Sequence, residues 1–262
     1  SLIAYFFIQA KTIKNENSFS FFHKIKINSE LAAVVPHHDL VKNIREDFLK
    51  RLSAESQPKT IILVSVNHFN AGLGDIISSD QDWLVANGKE KIKADTEVIN
   101  KLKDSGLVKI EPAAFYNEHG IKNLLAEFKE FFPKSALVPL MIKEPAQPED
   151  IKKLAEILKL NCSNCGFIAS VDMSHYQPAH LAEIQDEKTI RALSALDEDK
   201  IWQSQADSNS ALALLINLAK NKNLTSFNLF AHTNSGLLAQ NLEAETTTHI
   251  FGNFSAGNPV KI

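Results

Sequence analysis

Histidines follow three of the apolar runs in this chain. In "VVPHHDL" (34–40), His37 and His38 come straight after a short apolar stretch, with Asp39 behind them. "TIILVSV" (60–66) is followed by Asn67 and His68. "GFIASV" (166–171) is followed by Asp172, Ser174, His175 and Tyr176. Glu118 and His119 stand in "NEHG", where a helical pattern starts. Neutral imidazole is a common metal ligand, and its unperturbed pKa of about 6.5 suits proton transfer near neutral pH. Two or three imidazoles with one carboxylate, leaving positions open, suit iron, zinc or copper. Taken singly, each histidine is an ordinary hydrogen-bonding turn residue, and Asp172 and Ser174 are ordinary turn caps. The joint pattern differs: three strand-end turns each carry a histidine. His23, His180, His232 and His249 complete the set.

Those turns meet only if the strands are arranged to bring them together. Strand patterns are "LAAVV" (31–35), "TIILVSV" (60–66), "LVKI" (107–110), "ALVPLMI" (136–142), "GFIASV" (166–171), "SFNLFA" (226–231) and "TTTHIFG" (246–252). Helical patterns lie between them. "LVKNIREDFLKRL" sets Leu40, Ile44, Phe48 and Leu52 on one face. "DTEVINKLKDSG" has an Asp cap and a terminal Gly, and "PEDIKKLAEILKL" has Pro in its first turn. "IKNLLAEFKEFF" and "NSALALLINLAKN" also read as helices. Alternating strands and helices predict an α/β fold with helices on both faces of a mixed or parallel sheet. In such sheets ligands bind beyond the carboxyl ends of the strands, where these histidines fall. "KNENSFSFFHKIKIN" (14–28) reads as a polar turn and an edge strand, and 72–95 as an irregular loop or small hairpin. "FAHTNSG" reads as a strand running into a turn with His232 in it.

Composition narrows the classes. The chain has 262 residues, 44% hydrophobic and 23% charged, which suits one α/β domain. A net charge of −3 argues against bulk binding to nucleic acid. No apolar stretch approaches the about 18 residues of a membrane span. A cytoplasmic location is the expectation. The chain starts at Ser1 without a methionine, which leaves room for an upstream targeting segment. Cys162 and Cys165 in "NCSNCG" are too few for a disulfide framework and are expected to be reduced thiols in a turn.

An ordered set of segments resembles the Memo-like family (AmmeMemoRadiSam system protein B). "VVPHHDL" resembles its "PHAGY" segment, "ILVSVNHFNAG" its "GPSHH" strand, "YNEHGIKNLLAEF" its "EHSLE" segment, and "SVDMSHYQP" its "SSDFSHYG" segment. They run in the family's order over roughly residues 32 to 180. The resemblance implies the architecture of class III extradiol dioxygenases: one domain over 1–262 with a central mixed sheet flanked by helices. There, two histidines and a carboxylate hold ferrous iron and a further histidine acts as acid and base. By position, His37, His68, the Glu118–His119 pair, Asp172 and His175 take the family's motif residues. Lys122 stands where the family often has a second glutamate, and His38 replaces a small residue. The family's "CG" segment is missing. Aligning "SALALLINLA" with the helix that follows that segment brings Asp207 and Ser208 to the place of the cysteine and glycine.

The resemblance therefore implies a mononuclear site of His37, His68 and Asp207, with His175 and Asp172 in catalytic roles. Asn67 and Tyr176 would offer hydrogen bonds to a bound oxygen, and His38, Glu118 and His119 are further pocket candidates. Iron is the expected metal, with copper and zinc as alternatives. The expected function is a metal-dependent oxidoreductase acting on a small molecule. The alternative is a non-catalytic protein that binds a metal, a peptide or another partner in the same pocket.

Overall fold

The apolar runs come together as the middle of one sheet. The computed structural model describes residues 30–85 and 88–257. In chain order these form β1 (Ala32–Val35), α1 (Lys42–Glu55), β2 (Thr60–Val66), β3 (Ile76–Ser78), β4 (Trp83–Leu84), β5 (Lys91–Ile92) and α2 (Thr96–Asp104). Next come β6 (Lys109–Ile110), α3 (His119–Lys122), α4 (Leu125–Phe131), β7 (Ala136–Ile142), α5 (Pro148–Asn161) and β8 (Cys165–Ser170). The chain continues through α6 (Ala179–Ala195), α7 (Glu198–Ile201), α8 (Asn209–Asn221), β9 (Ser226–Asn234), α9 (Ser235–Leu238) and β10 (Thr248–Ser255).

Eight strands form one mixed sheet in the order β6-β3-β7-β2-β8-β1-β10-β9. The central four, β7, β2, β8 and β1, are parallel neighbours. β3 is antiparallel to β7, and β10 is antiparallel to both β1 and β9. All seven residues of β2 are buried, as a strand covered on both faces requires. Its side chains alternate between two cores. Ile62 and Val64 meet Leu154 and Leu158 of α5 and Leu212 and Leu215 of α8. Ile61 and Leu63 meet Phe48 and Leu52 of α1 and Phe128 of α4. Each fully buried aliphatic side chain contributes about 1.5–3 kcal/mol, so the two-sided packing fixes strand register and with it the level of the strand ends.

Several expectations are sharpened or corrected. Asp95 caps α2 by accepting the Val98 amide at 3.2 Å, and Gly106 follows that helix with a positive φ of 75°. Leu40 does not join the buried face: it sits in a 3-10 turn before α1 and is exposed, while Arg45, Phe48, Leu49 and Leu52 turn inward. The 72–95 region supplies a main-sheet strand, β3, as well as the small β4–β5 hairpin. β9 runs through His232 to Asn234, because it pairs with β10 along that whole length, so His232 lies in a strand and not in a turn. Cys162 and Cys165 are joined as a disulfide between α5 and β8, and both are buried, in place of the reduced thiols expected. The edge strand expected at 14–28 lies outside the described residues. Among the described residues, no helix is long and apolar enough to cross a membrane.

Candidate metal centre

Three parallel neighbours end at one level. Val35 of β1 and Ser65 of β2 both pair with Ser170 of β8. His37 stands two residues beyond β1, His68 two beyond β2 and Asp172 two beyond β8, so all three leave the same sheet edge side by side. Asp207 reaches them from the segment before α8. Its backbone amide donates to the Asp172 carbonyl at 3.0 Å, and the Asp172 amide donates to Asp207 Oδ2 at 3.3 Å. Glu118 and His119 arrive on the short turn α3, which lies close against β2. A side chain at Gly120 would collide with Ser65, so this approach needs glycine.

The tautomers follow from the partners. The Ser170 hydroxyl donates to the Gly120 carbonyl at 2.5 Å, so its oxygen accepts from His37 Nδ1 at 3.1 Å. His37 Nε2 then carries a lone pair, and it faces Asp207 Oδ2 at 3.3 Å and Asp172 Oδ2 at 3.4 Å. His68 is held from its Nδ1 side as well, and without a metal its Nε2 carries a proton toward Asp207. Its Nδ1 meets Glu118 Oε1 at 2.5 Å, and its Nε2 lies 3.7 Å from Asp207 Oδ2. Glu118 is held in turn by the His68 amide at 3.1 Å and the Gly120 amide at 3.0 Å. A carboxylate that fixes a ligating imidazole from behind is the usual support of a metal site.

The electrostatics leave room for a positive charge. Asp172 Oδ1 and Asp207 Oδ1 are buried and have no hydrogen-bond partner among the described residues. Burial pushes the Asp207 carboxyl up to about 7. Burial, then the nearby His68 and His119, holds His37 well below the usual imidazole value. Burial also pulls on His68, but its bonds to Asp207 and Glu118 and their charges outweigh it and raise the imidazole to about 9. Burial opposes ionisation of Glu118, and the His68 bond and charge with the two amides overcome it and lower its value. Lone pairs that converge on carboxylate oxygens repel one another unless a cation or proton sits between them. The donors present therefore fit a divalent metal ion. His37, His68 and His119 form one possible ligand group, and His37, Asp172 and Asp207 another, each with its atoms within 4.8 Å of one another.

The remaining candidates separate by partner. The half-buried His119 ring lies 3.9 Å from that of His68 and 5.2 Å from that of His37, centroid to centroid. Burial, then the His68 charge, lowers its pKa. His175 is half-buried in the turn after β8, and burial lowers its pKa. Asp172 faces His37 directly and feels His175 only through its charge. Asn67 braces its own turn, donating one amide N–H to the Ala71 carbonyl at 2.8 Å and accepting the Ala71 amide at 2.9 Å, and its second N–H has no partner in these two bonds. Tyr176 is 79% exposed at the rim and takes a left-handed backbone conformation, φ 57°. His38 Nδ1 meets His249 Nε2 at 3.1 Å.

Three supporting residues escape a reading of the sequence alone. Ser170 sits inside a strand and is marked by nothing local. Asp186 of α6 ties the 172–176 turn in place, accepting the Ser174 hydroxyl at 2.9 Å and pairing with His232 at 2.7 Å. Arg45 is fully buried on α1. A signal for it does exist: it is a charge at i, i+3, i+4 and i+7 spacing with Phe48, Leu49 and Leu52, the face that must enter the core.

A family model described as "Memo-like protein" matches residues 9–246. The chain belongs to the Memo-like family. A MEMO1 family protein of Saccharolobus solfataricus is 26% identical over 216 residues, 74% of each chain. A MEMO1 family protein of Caldivirga maquilingensis is 24% identical over 179 residues, 66% of this chain and 62% of that one. The match thus spans somewhat under two thirds of the Caldivirga relative and about three quarters of the Saccharolobus one. An uncharacterized protein of Escherichia coli K12, solved by crystallography, superimposes with a TM-score of 0.58 at 12% identity, covering 85% of this chain and 98% of that one. That likeness shows a common fold. The central mixed sheet flanked by helices is the architecture the Memo-like motifs implied.

Proposed function

We propose that the pocket binds one divalent metal ion through His37 Nε2, His68 Nε2 and Asp207, and that this Memo-like protein is a non-haem iron oxidoreductase. One observation carries the reading. Two imidazoles have their Nδ1 atoms committed to Ser170 and Glu118, and both turn Nε2 toward the same Asp207 oxygen. Two imidazoles, one carboxylate and no sulfur suit ferrous iron; zinc and copper accept imidazole as well and are the alternatives. When bound, a ferrous ion would supply a Lewis acid and one-electron chemistry toward a small phenolic substrate and dioxygen.

The chain's own residues do the rest. Ser170 and Glu118 hold the two imidazoles in their binding tautomers. Asp172, beside His37, adds negative charge that favours a cation. His175, its pKa lowered by burial, is neutral near pH 7 and able to accept a proton beside Asp172, whose charge it feels. The test is anaerobic loading with iron(II), then oxygen uptake against a panel of catechols. Iron-dependent uptake with one of them is expected. Tight iron binding with no uptake across the panel would remove the oxidoreductase part and leave the metal site.

A second reading, capture of a peptide or other partner without turnover, draws on the rim. Phe69 and Tyr176 are exposed next to His68 and His175 in the chain, and Tyr116 is exposed two residues before Glu118. Partner binding that survives His37→Ala and His68→Ala would favour it.

A further inference from the structure

We infer that Arg45 is the positioning residue of this pocket, a buried guanidinium that locks the His37 turn to the turn carrying Glu118 and His119. The inference rests on the metal-site reading above. Arg45 lies on α1, behind the site and out of reach of any ligand in it, and is fully buried. A guanidinium presents five N–H donors in a rigid fork. Here Nη1 donates to the Pro36 carbonyl at 3.3 Å and the His38 carbonyl at 3.2 Å, one on each side of His37. The His37 carbonyl between them accepts the Asn123 side-chain amide at 3.1 Å. All three consecutive carbonyls around the ligand are therefore tied, and the direction of the His37 side chain is set before its ring meets Ser170.

The other arm reaches the second support. Nη2 donates to the Asn123 carbonyl at 3.4 Å, and Asn123 follows directly on α3. That turn begins at His119 and is capped by Glu118, the carboxylate that orients His68. One cation thus links what holds His37 to what holds His68. Its charge is met by Glu127 of α4, whose Oε1 accepts from Nε at 3.0 Å and from Nη2 at 2.8 Å. The exposed Asp39 carboxylate adds a contact at 3.3 Å.

Stability alone gives little reason for this arrangement. Replacing a buried ion pair by apolar residues of similar size is often neutral or stabilising, so a pair kept in an apolar layer points to what it positions. Lysine would keep the charge and lose the fork, and could not span both turns.

The test compares wild type with Arg45→Lys and with the double variant Arg45→Met/Glu127→Leu, which removes both charges together. Two readouts are taken. In metal-free protein, the ring nitrogen resonances report the His37 tautomer. With Co(II) as probe, titration gives affinity and the visible absorption bands report coordination. The double variant is expected to unfold cooperatively like wild type, to lose the single Nδ1–H form of His37, and to bind Co(II) about 10–100-fold more weakly with altered bands, the range for lost outer supports. Arg45→Lys should fall between. A folded double variant with wild-type tautomer and wild-type Co(II) affinity would overturn the inference. If the double variant does not fold, Arg45→Lys carries the same two readouts, and wild-type values for both would overturn the inference equally. If wild type itself takes up no Co(II), the metal-site reading fails, and the His37 tautomer still decides whether Arg45 positions that ring.

Discussion

His37 turns its ring into the sheet edge, where Ser170 takes its Nδ1–H and Asp172 and Asp207 face Nε2. His38, one residue later, lays its ring parallel to that of His249 on β10, with centroids 5.2 Å apart and planes 9° apart. The two regions share a residue type and nearly a sequence position. On the first side, buried carboxylates with unpartnered oxygens surround a fixed lone pair. On the second, two imidazoles share one hydrogen bond, and His249 Nδ1 is buried without a partner among the described residues. The partners of a histidine thus decide its chemistry. Acceptors that converge on one another leave a place for a cation, and two imidazoles that share one hydrogen bond do not.

The comparison can be strained first from behind. Arg45→Ala leaves Glu127 as an uncompensated buried charge and should cost about 3–5 kcal/mol, measured as a lowered urea midpoint. Asp39→Ala, which removes only the exposed partner, should change stability by about 0.5 kcal/mol or less. Equal effects from the two would show that the buried clamp does not distinguish the carboxylate side.

A smaller effect is expected from Glu118→Gln. It keeps the shape and removes the charge that orients His68, and should weaken Co(II) binding about 10–100-fold in a competition titration. Full affinity in that variant would place the support of His68 elsewhere.

The imidazole side should announce itself through pH. Burial holds His249 down at about 4 against the charge of Asp172, with His38, His175 and His37 adding repulsion when protonated. Its unfolded value is about 6.5. Between the two, the unfolded chain binds the proton and the folded chain does not. This contribution to stability is present above pH ~6.5 and lost as pH falls toward 4, by up to ~1.4 kcal/mol per pH unit. Urea unfolding across this range for wild type and His249→Leu isolates it. An unchanged slope in the variant would show that His249 is not held neutral.

The smallest effect is expected from His38→Ala, which should leave Co(II) affinity and stoichiometry where they are. A fall matching that of His37→Ala would merge the two regions into one site.

Much of this geometry is legible in the chain. The apolar runs at 60–66 and 136–142 coincide with β2 and β7 to the residue, because strands buried on both faces stay apolar until the polar turns begin. The three strand-end turns meet as expected, since β2, β8 and β1 are parallel neighbours. Other features have no local signal. α6 buries Asp186 and Thr189 between Ala179 and Ala182 on one side and Ala192 and Leu193 on the other, so its inward stripe is built mostly of small residues and broken in the middle. "QADSNS" itself does not mark Asp207, which only the alignment of the following helix picks out; its place is set by backbone contacts with Asp172, 35 residues earlier. His249 reads as any strand residue until the antiparallel pairing of β10 with β1 brings it beside His38.

The most direct test of the central claim is the metal content of protein purified without oxygen, measured beside His37→Ala and His68→Ala. A stoichiometric divalent metal, chiefly iron, is expected in wild type, with loss from both variants. Unchanged metal content in both variants would contradict the assignment of His37 and His68 as its ligands.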